Sequence, residues 1–179
     1  MCIEIWNLTQ NWIKTNSKAR ESLDPLMNAR LQLMYARQAT DEDEKQEEGH
    51  AKTNLTTSEK SKLKRIVVLE AEKLSECVEH LDQIVGKFRK ALARLPSWRQ
   101  LCPKPGPTIS HILNTLEKSL PAIIEMYSRE VETRRRALLD LATFEHPAVF
   151  TAINLTFQYE PFIDQDLVGC LYSLVATKA

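Results

Sequence analysis

Apolar residues recur at alternating steps of three and four through the middle of the chain. The longest series advances by 7, 4, 3, 4, 3, 4 and 3 residues. Its members are Val67, Leu74, Val78, Leu81, Val85, Phe88, Leu92 and Leu95. Such steps keep one stripe of side chains on the same side of a helix, facing a partner helix. The pattern predicts a long helix from about Glu59 to Leu95, and Pro96 is expected to end it.

A second apolar series follows a proline-rich break at residues 102–107. Thr108 is a plausible N-cap for the new helix. The series comprises Ile109, Ile112, Leu116, Leu120, Ile123, Tyr127, Val131, Leu138 and Leu141. Pro121 either kinks one long helix or lies in the first turn of a new one, with Ser119 near its cap. Two long stripes joined by a short break should fold back as an antiparallel pair.

Shorter helical patterns lie on both sides of these series. An N-terminal helix carries Ile5, Leu8, Trp12 and Ile13, and a second pattern over 26–39 is a separate helix or its continuation beyond a kink. Near the other end, His146-Pro147 begins one short helix and Asp164 caps another. No strand is predicted. The fold class is therefore all-α: a long antiparallel, coiled-coil-like helical hairpin with flanking N-terminal helices and two short C-terminal helices.

These elements predict one domain in three segments. Residues 1–40 form N-terminal helices that pack on the hairpin, and residues 58–179 form the hairpin with its short helices. Between them, residues 41–57 are rich in acidic residues and nearly free of apolar ones, so they cannot bury a face. We expect a flexible linker there, with an acidic docking strip as the alternative.

Composition narrows the classes of function. Four glycines in 179 residues are few for a nucleotide-binding or all-β fold. Lys+Arg and Asp+Glu are 24 each, so no net charge attracts nucleic acid or an anionic membrane. We find neither a signal peptide nor an apolar stretch long enough to cross a bilayer. The expectation is a soluble intracellular protein that does not bind nucleic acid directly.

The residues that could carry chemistry are scattered. The histidines lie in separate segments, and neither G-x-S-x-G nor a phosphate-binding glycine loop occurs. The four cysteines form no C-x-x-C pair, which predicts free thiols. Cys77 and His80 could both bind one metal ion, although two ligands do not make a zinc site. We therefore expect no enzyme, no cofactor and no metal site.

Two clusters have both a structural and a functional interpretation. Residues 134–136 are consecutive arginines, with Arg129 one turn earlier, and could contact phosphate or acidic protein. Acidic neighbours favour a solvated helix surface instead. Phe157, Tyr159 and Phe162 gather around Pro161, where they either hold the short helices onto the hairpin or anchor a partner.

Several segments resemble the cyclin-dependent kinase 2-interacting protein family. The resemblance rests on residues 123–127 with Glu130 and the arginines after it, on Leu141-Ala142, and on Trp6, Leu8 and Trp12. It also includes 157–162, which is similar to the family's aromatic-x-x-Gln-Pro-Tyr stretch, with Glu160 in place of glutamine. In outline it covers the whole chain.

The resemblance implies a non-enzymatic nuclear adaptor. Members of the family that the chain resembles are linked to a AAA+ ATPase complex and to a second small helical protein. They are also linked to cyclin-dependent and replication-initiating kinases, and to DNA replication, checkpoint signalling and ribosome maturation. No Ser-Pro or Thr-Pro site occurs to make this chain a proline-directed kinase substrate.

Partner contacts are predicted on the two stripes and on the aromatic cluster. The predicted residues are Leu81, Phe88, Ile123, Met126, Tyr127, Phe157, Tyr159, Pro161 and Phe162. Phe88→Asp should then break assembly. The alternative function is a structural homodimer that forms a four-helix bundle without another partner, and it predicts a concentration-dependent dimer of the purified chain.

Overall fold

A computed structural model describes residues 1–43, 55–143 and 146–176. Within these ranges the chain is all-helical and contains no strand, which confirms the all-α class. The helices in the described ranges are α1 (Cys2–Asp43), α2 (Thr57–Leu101), α3 (Pro107–Thr143), α4 (Pro147–Tyr159) and α5 (Gln165–Ala176). The predicted acidic linker lies mostly in residues 44–54, outside the described residues.

Proline does not interrupt the long helices. Pro25 lies inside α1, Pro96 inside α2 and Pro121 inside α3. The prediction that Pro96 ends its helix is therefore wrong, and the N-terminal segment is one helix of 42 residues. An internal proline costs about 3 kcal/mol. Burying a leucine side chain gains about 1.5–3 kcal/mol, and buried leucines flank each position, as Leu26 and Leu120 do. Packing therefore carries the helix through.

The helix starts follow local capping. Thr56 caps α2 in a capping box with Glu59. The prediction of Thr108 as a cap is wrong, because α3 already begins at Pro107, whose missing N–H has no partner in a first turn. The start of α4 is confirmed, since His146 Nδ1 accepts from the backbone N–H of Ala148 at 3.2 Å.

The cap of α5 is also as predicted. Asp164 Oδ1 accepts from the backbone N–H groups of Asp166 and Leu167, at 2.9 and 3.2 Å. These bonds satisfy donors that have no partner inside the helix.

Cross-helix contacts give the directions of the long helices. Between α2 and α3 the contacts join Arg99 to Glu117, Arg89 to Ser128 and Arg135 to Asp82. Residue numbers fall along α2 as they rise along α3, so these helices run antiparallel. Glu4 of α1 pairs with Arg94 of α2, and Ser22 lies beside Glu70, so α1 is also antiparallel to α2. Helix α2 lies between the other two.

The two short helices complete the bundle on the opposite side from α2. Both contact α1 and α3, and neither lies against α2 within the described residues. Along α1 the contacts are Arg30 over Phe150, Arg20 with the carbonyl of Phe157, and the ring pair Trp6–Tyr172. These contacts run antiparallel, so α4 and α5 lie end to end as a fourth column beside α1, α2 and α3.

The core lies where the columns meet. Trp12 packs on Tyr127 with ring centroids 4.3 Å apart, and Tyr127 stacks on Phe88 at 5.4 Å. Most residues of the two predicted stripes are buried, although Ile109 in the first turn of α3 is exposed. The stripes omitted buried residues such as Ile84 and Leu113. A helix with neighbours on two sides buries a wider face than one stripe.

Candidate interaction site at the corner between α4 and α5

The residues predicted to contact partners fall into two groups. Six are buried in the chain's own core: Leu81, Phe88, Ile123, Met126, Tyr127 and Phe157. Three are exposed at the corner between α4 and α5. Tyr159 has 70% of its surface exposed and Phe162 has 42%, with Pro161 exposed between them. The structure therefore brings together one surface group, and the other six are part of the hydrophobic core.

The corner is a tight, left-handed end to α4. Glu160 follows the helix with φ 46° and ψ 65°, a region that few residues other than glycine adopt. Its carbonyl accepts from the backbone N–H of Ile163 at 2.9 Å, which closes the turn over Pro161 and Phe162. The backbone strain at Glu160 requires compensating contacts.

The Glu160 side chain supplies these contacts. The indole Nε1 of Trp12 donates to Glu160 Oε1 at 2.8 Å. Arg134 Nη2 lies 3.5 Å from Oε1, and Arg20 Nη2 lies 3.7 Å from Oε2. One carboxylate therefore joins the corner to α1 and α3 at the same time.

Arg20 also binds the end of α4 directly. Its Nε donates to the carbonyl of Phe157 at 2.8 Å, and its Nη2 donates to the carbonyl of Gln158 at 2.6 Å. The last carbonyls of a helix have no partner within it and carry partial negative charge. An arginine from α1 thus acts as the cap that the local sequence of α4 lacks.

Helix α3 holds the other half of the corner. Glu130 and Arg134 lie one turn apart and are both fully buried, with Arg134 Nη2 3.2 Å from Glu130 Oε1. Glu130 Oε2 accepts from the backbone N–H of Phe162 at 3.1 Å. The Met126 sulfur lies 3.4 Å from the backbone nitrogen of Asp164. The backbone of the corner is therefore fixed on both sides of Pro161.

The buried guanidinium of Arg134 is held mainly by charge and by aromatic faces. Its nitrogens are near two carboxylates, but none makes a well-oriented hydrogen bond. Its Cζ lies 5.4 Å from the ring centre of Trp12 and 5.2 Å from that of Phe157. Such cation–π contacts contribute more when the cation is desolvated.

Burial and charge oppose one another in this cluster. Burial lowers the pKa of Arg134, and the carboxylates of Glu130 and Glu160 raise it. Burial raises the pKa of Glu130, while Arg134 and the Phe162 N–H lower it. Burial also raises the pKa of Tyr127, so this phenol stays neutral. Arginine keeps its proton in proteins, so Arg134 remains the cation that holds the corner.

The arginine cluster is divided between the core and the surface. Arg134 points inward, whereas Arg129, Arg135 and Arg136 are exposed and pair with Glu125, Asp82 and Glu132. Sequence reasoning missed the role of Arg134. A signal was present, because the apolar stripe of α3 skips from Val131 to Leu138, and position 134 is the missing member at a step of three.

The other side chains that could carry chemistry are the histidines, the cysteines and the carboxylates. No group of three or more His, Cys, Asp or Glu side chains in these ranges could hold a metal ion. Cys2, Cys77, Cys102 and Cys170 are free, as predicted. No described helix is long and apolar enough to cross a membrane.

The corner thus combines exposed aromatic side chains with a fixed backbone. It presents Tyr159 and Phe162 on a backbone that is fixed from α1 and α3, and neither aromatic ring is needed to fill the core. No family model, curated protein or solved structure matches the chain.

Proposed function

We propose that the chain is a non-enzymatic adaptor subunit. It binds a second small helical protein and tethers a AAA+ ATPase complex, in the nucleus, with roles in DNA replication, genome maintenance and ribosome maturation. The resemblance at 157–162 and at 123–130 suggests the family, and the same two segments build the corner. The observation that carries the proposal is the pair of exposed aromatic side chains on this fixed backbone.

The physical case is preorganisation. Aromatic side chains dominate interface hot spots because they bury a large area with few rotatable bonds. Ordering a mobile loop on binding would cost free energy, and the contacts of Glu160, Arg20 and Glu130 have already ordered this one. A partner therefore gains the burial of Tyr159 and Phe162 at a low entropic cost.

The long helices have a different part in this proposal. We treat α2 and α3 as a coiled-coil-like hairpin whose stripes hold the chain together, because Leu81, Phe88 and Ile123 are completely buried within it. Phe88→Asp would then unfold the chain before it could report on assembly. Substitutions at the corner are the sharper test.

The experiment compares native complexes recovered with the tagged chain from cells. We expect Tyr159→Ala/Phe162→Ala to lose the helical partner and the ATPase, as judged by absolute mass and component identification. Tyr35→Ala is the matched control, since Tyr35 is also exposed but lies on α1 away from the corner. Circular dichroism should give the same helix content for all three proteins. An unchanged complex in the double variant would refute the proposal.

A homodimer is the second candidate, and one surface favours it. Val68 and Leu69 on α2 are 58% and 51% exposed, and Ile66 beside them is also exposed. An isologous dimer would cover this patch with its own copy. A species of twice the chain mass that Leu69→Lys dissociates would support this function instead of the adaptor.

A further inference from the structure

A second surface, separate from the corner, lies between the start of α1 and the second half of α2. It is an open groove of about 830 Å³. Its apolar lining comes from Ile3, Leu8 and Ala93. Leu8 is buried and forms the base, while Ile3 is 62% exposed at the edge. Ile3 and Leu8 therefore give the groove an apolar side that α1 contributes.

Charge in this part of α2 has one sign. Residues 87–101 contain five Lys or Arg and no Asp or Glu. Three of the five are paired: Arg89 with Ser128, Arg94 with Glu4 and Arg99 with Glu117. The remaining two, Lys87 and Lys90, line the groove one turn apart. Their side chains make no ion pair or hydrogen bond with the described part of the chain.

The helix backbone is also accessible at one end of the groove. Gly86 precedes Lys90 by one turn, so both lie on the same face of α2. A Cβ added at Gly86 would meet no atom within 4 Å. A partner can therefore approach α2 closely there, as helices do at small residues.

We propose that this groove binds an amphipathic helix of the partner protein whose apolar stripe is flanked by carboxylates. The lining residues span 3–8 on α1 and 87–94 on α2, a length of about 10 Å or two helical turns. Apolar side chains at helical spacing would cover Ile3, Leu8 and Ala93. Carboxylates three or four residues apart would pair with Lys87 and Lys90.

Charge complementarity selects this occupant. Nucleic acid would place phosphates against Ile3 and against the Glu4 carboxylate, and the groove has no aromatic ring for a base to stack on. The inference rests on the proposed function in one respect, namely that the partner is helical. It assigns that partner a second contact, on a different face from Tyr159 and Phe162.

The test uses the full chain and a synthetic probe. The probe is an amphipathic peptide of about five helical turns, with leucines on one face and glutamates beside them. A matched peptide carries lysines in place of the glutamates.

Fluorescence anisotropy should show that the acidic peptide binds and that its binding weakens as salt is added. The variant Lys87→Glu/Lys90→Glu should bind the acidic peptide about tenfold more weakly or worse. The control Lys62→Glu/Lys64→Glu changes the charge of the same helix equally and should leave peptide binding unchanged.

Three results would overturn the inference: equal binding of both peptides, equal binding by the groove variant and its control, or a dimer of the unmodified chain that Lys87→Glu/Lys90→Glu dissociates. The last result would place a second copy of the chain in the groove.

Failure of the proposed function can be distinguished from failure of the groove assignment. If peptide binding follows the expected pattern but cells yield no helical partner or ATPase, the adaptor proposal is lost and the groove assignment stands.

Discussion

Arg134 is the residue on which three columns of the bundle converge. It contacts Trp12 of α1, Glu130 of its own helix, and Phe157 and Glu160 at the end of α4. Taking such charges out of water costs several kcal/mol per ion, which the pairing must offset. A network of this kind adds little net stability. Its effect is to specify one position for the corner.

Removing only the cation should therefore lower the stability of the folded chain. We expect Arg134→Met to lower the free energy of unfolding by about 3–5 kcal/mol near neutral pH, because it leaves Glu130 buried and unpaired. Glu130→Gln/Arg134→Met should recover much of this loss, since glutamine still accepts from the Phe162 N–H. Urea denaturation of the two variants measures the difference. Equal stabilities would show that the pair is not coupled.

The same two variants should differ in their response to pH. Burial raises the pKa of Glu130 above its ordinary value of 4.5, and the pKa rises further once Arg134 no longer opposes it. The folded Arg134→Met variant then holds a proton that the unfolded chain releases, so its stability falls as pH rises above 4.5. Unfolding at about pH 5 should require more urea than at about pH 7. The double variant should lack this slope.

Gly86 lies in the middle of α2, where glycine lowers helix stability. Nothing lies within 4 Å of a Cβ built at this position. Gly86→Ala should therefore raise the free energy of unfolding by up to about 1 kcal/mol. Thermal unfolding checks this, with Ala93→Gly on the same face expected to change stability in the opposite direction. A destabilised Gly86→Ala variant would mean that the backbone there is not helical in the folded protein.

The burial and the contacts of single residues could be predicted only in part from the sequence. The spacing of apolar residues identified Leu74, Phe88 and Ile123 as members of the helix stripes, and all three are buried, although Phe88 and Ile123 were predicted to contact a partner. The spacing puts position 134 on the stripe, but the charge of Arg134 argues for the surface unless a partner such as Glu160, 26 positions along the chain, is known to meet it. Phe157 and Tyr159 differ in burial, one buried and one exposed, because residues two positions apart in α4 point to different sides of the helix.

Among the helices, capping residues predicted the starts of α4 and α5, whereas the predicted cap Thr108 lies inside α3. His146 and Asp164 begin α4 and α5 as expected. Predictions failed where packing overrides a local preference. Pro96 favours a break, yet α2 continues past it, because burial of the helix face contributes more free energy than the lost hydrogen bond and the steric clash cost. For α1, the structure selects the alternative of one continuing helix.

The capping box of α2 makes a prediction for one element. Thr56 Oγ1 accepts from the Glu59 N–H at 3.2 Å, and Glu59 Oε2 accepts from the Thr56 N–H at 2.7 Å. Thr56→Ala should lower the free energy of unfolding by about 1 kcal/mol and speed hydrogen exchange in the first turn of α2. Thr57→Ala, one position on, is the control. Equal exchange in the two variants would argue against the box.

This cap should also depend on pH. The hydrogen bonds from Thr56 lower the pKa of Glu59 below its ordinary value of 4.5. The folded state therefore favours the carboxylate, and the contribution of the cap is present above that value and is lost as pH falls through the lowered pKa. Exchange in the first turn of α2 should increase on acidification relative to the middle of the helix.

For the molecule as a whole, the short helices decide the architecture. The sequence patterns predicted α4 and α5 but not that they would stack end to end against α1 and α3 as a fourth column. That arrangement depends on contacts across more than a hundred residues, such as the one from Trp12 to Glu160. A periodic pattern describes which face of a helix is buried. It does not say which neighbour buries it.

Trp12→Phe should loosen this column selectively. It removes the hydrogen bond to Glu160 and keeps an aromatic ring, so the expected loss is about 1–3 kcal/mol. Amide exchange should increase in 157–171 more than in the centre of α2. Trp6→Phe is the matched control, because Trp6 packs on the ring of Tyr172 with centroids 5.2 Å apart, a contact that a phenylalanine ring can keep. Uniform acceleration in both variants would show that α4 and α5 do not open as a unit.

The order of synthesis gives the fourth column a further significance. Residues 147–176 leave the ribosome after α1, α2 and α3, so the face of α1 that carries Trp12 and Arg20 must wait for its cover. During that interval the nascent chain presents apolar surface that the finished protein hides, and such surfaces attract chaperones and other nascent chains. The Glu160 corner can dock only when α1 and α3 are in place, because its contacts are with Trp12, Arg20 and Glu130. A partner that reads Tyr159 and Phe162 would therefore engage only chains whose folding is complete.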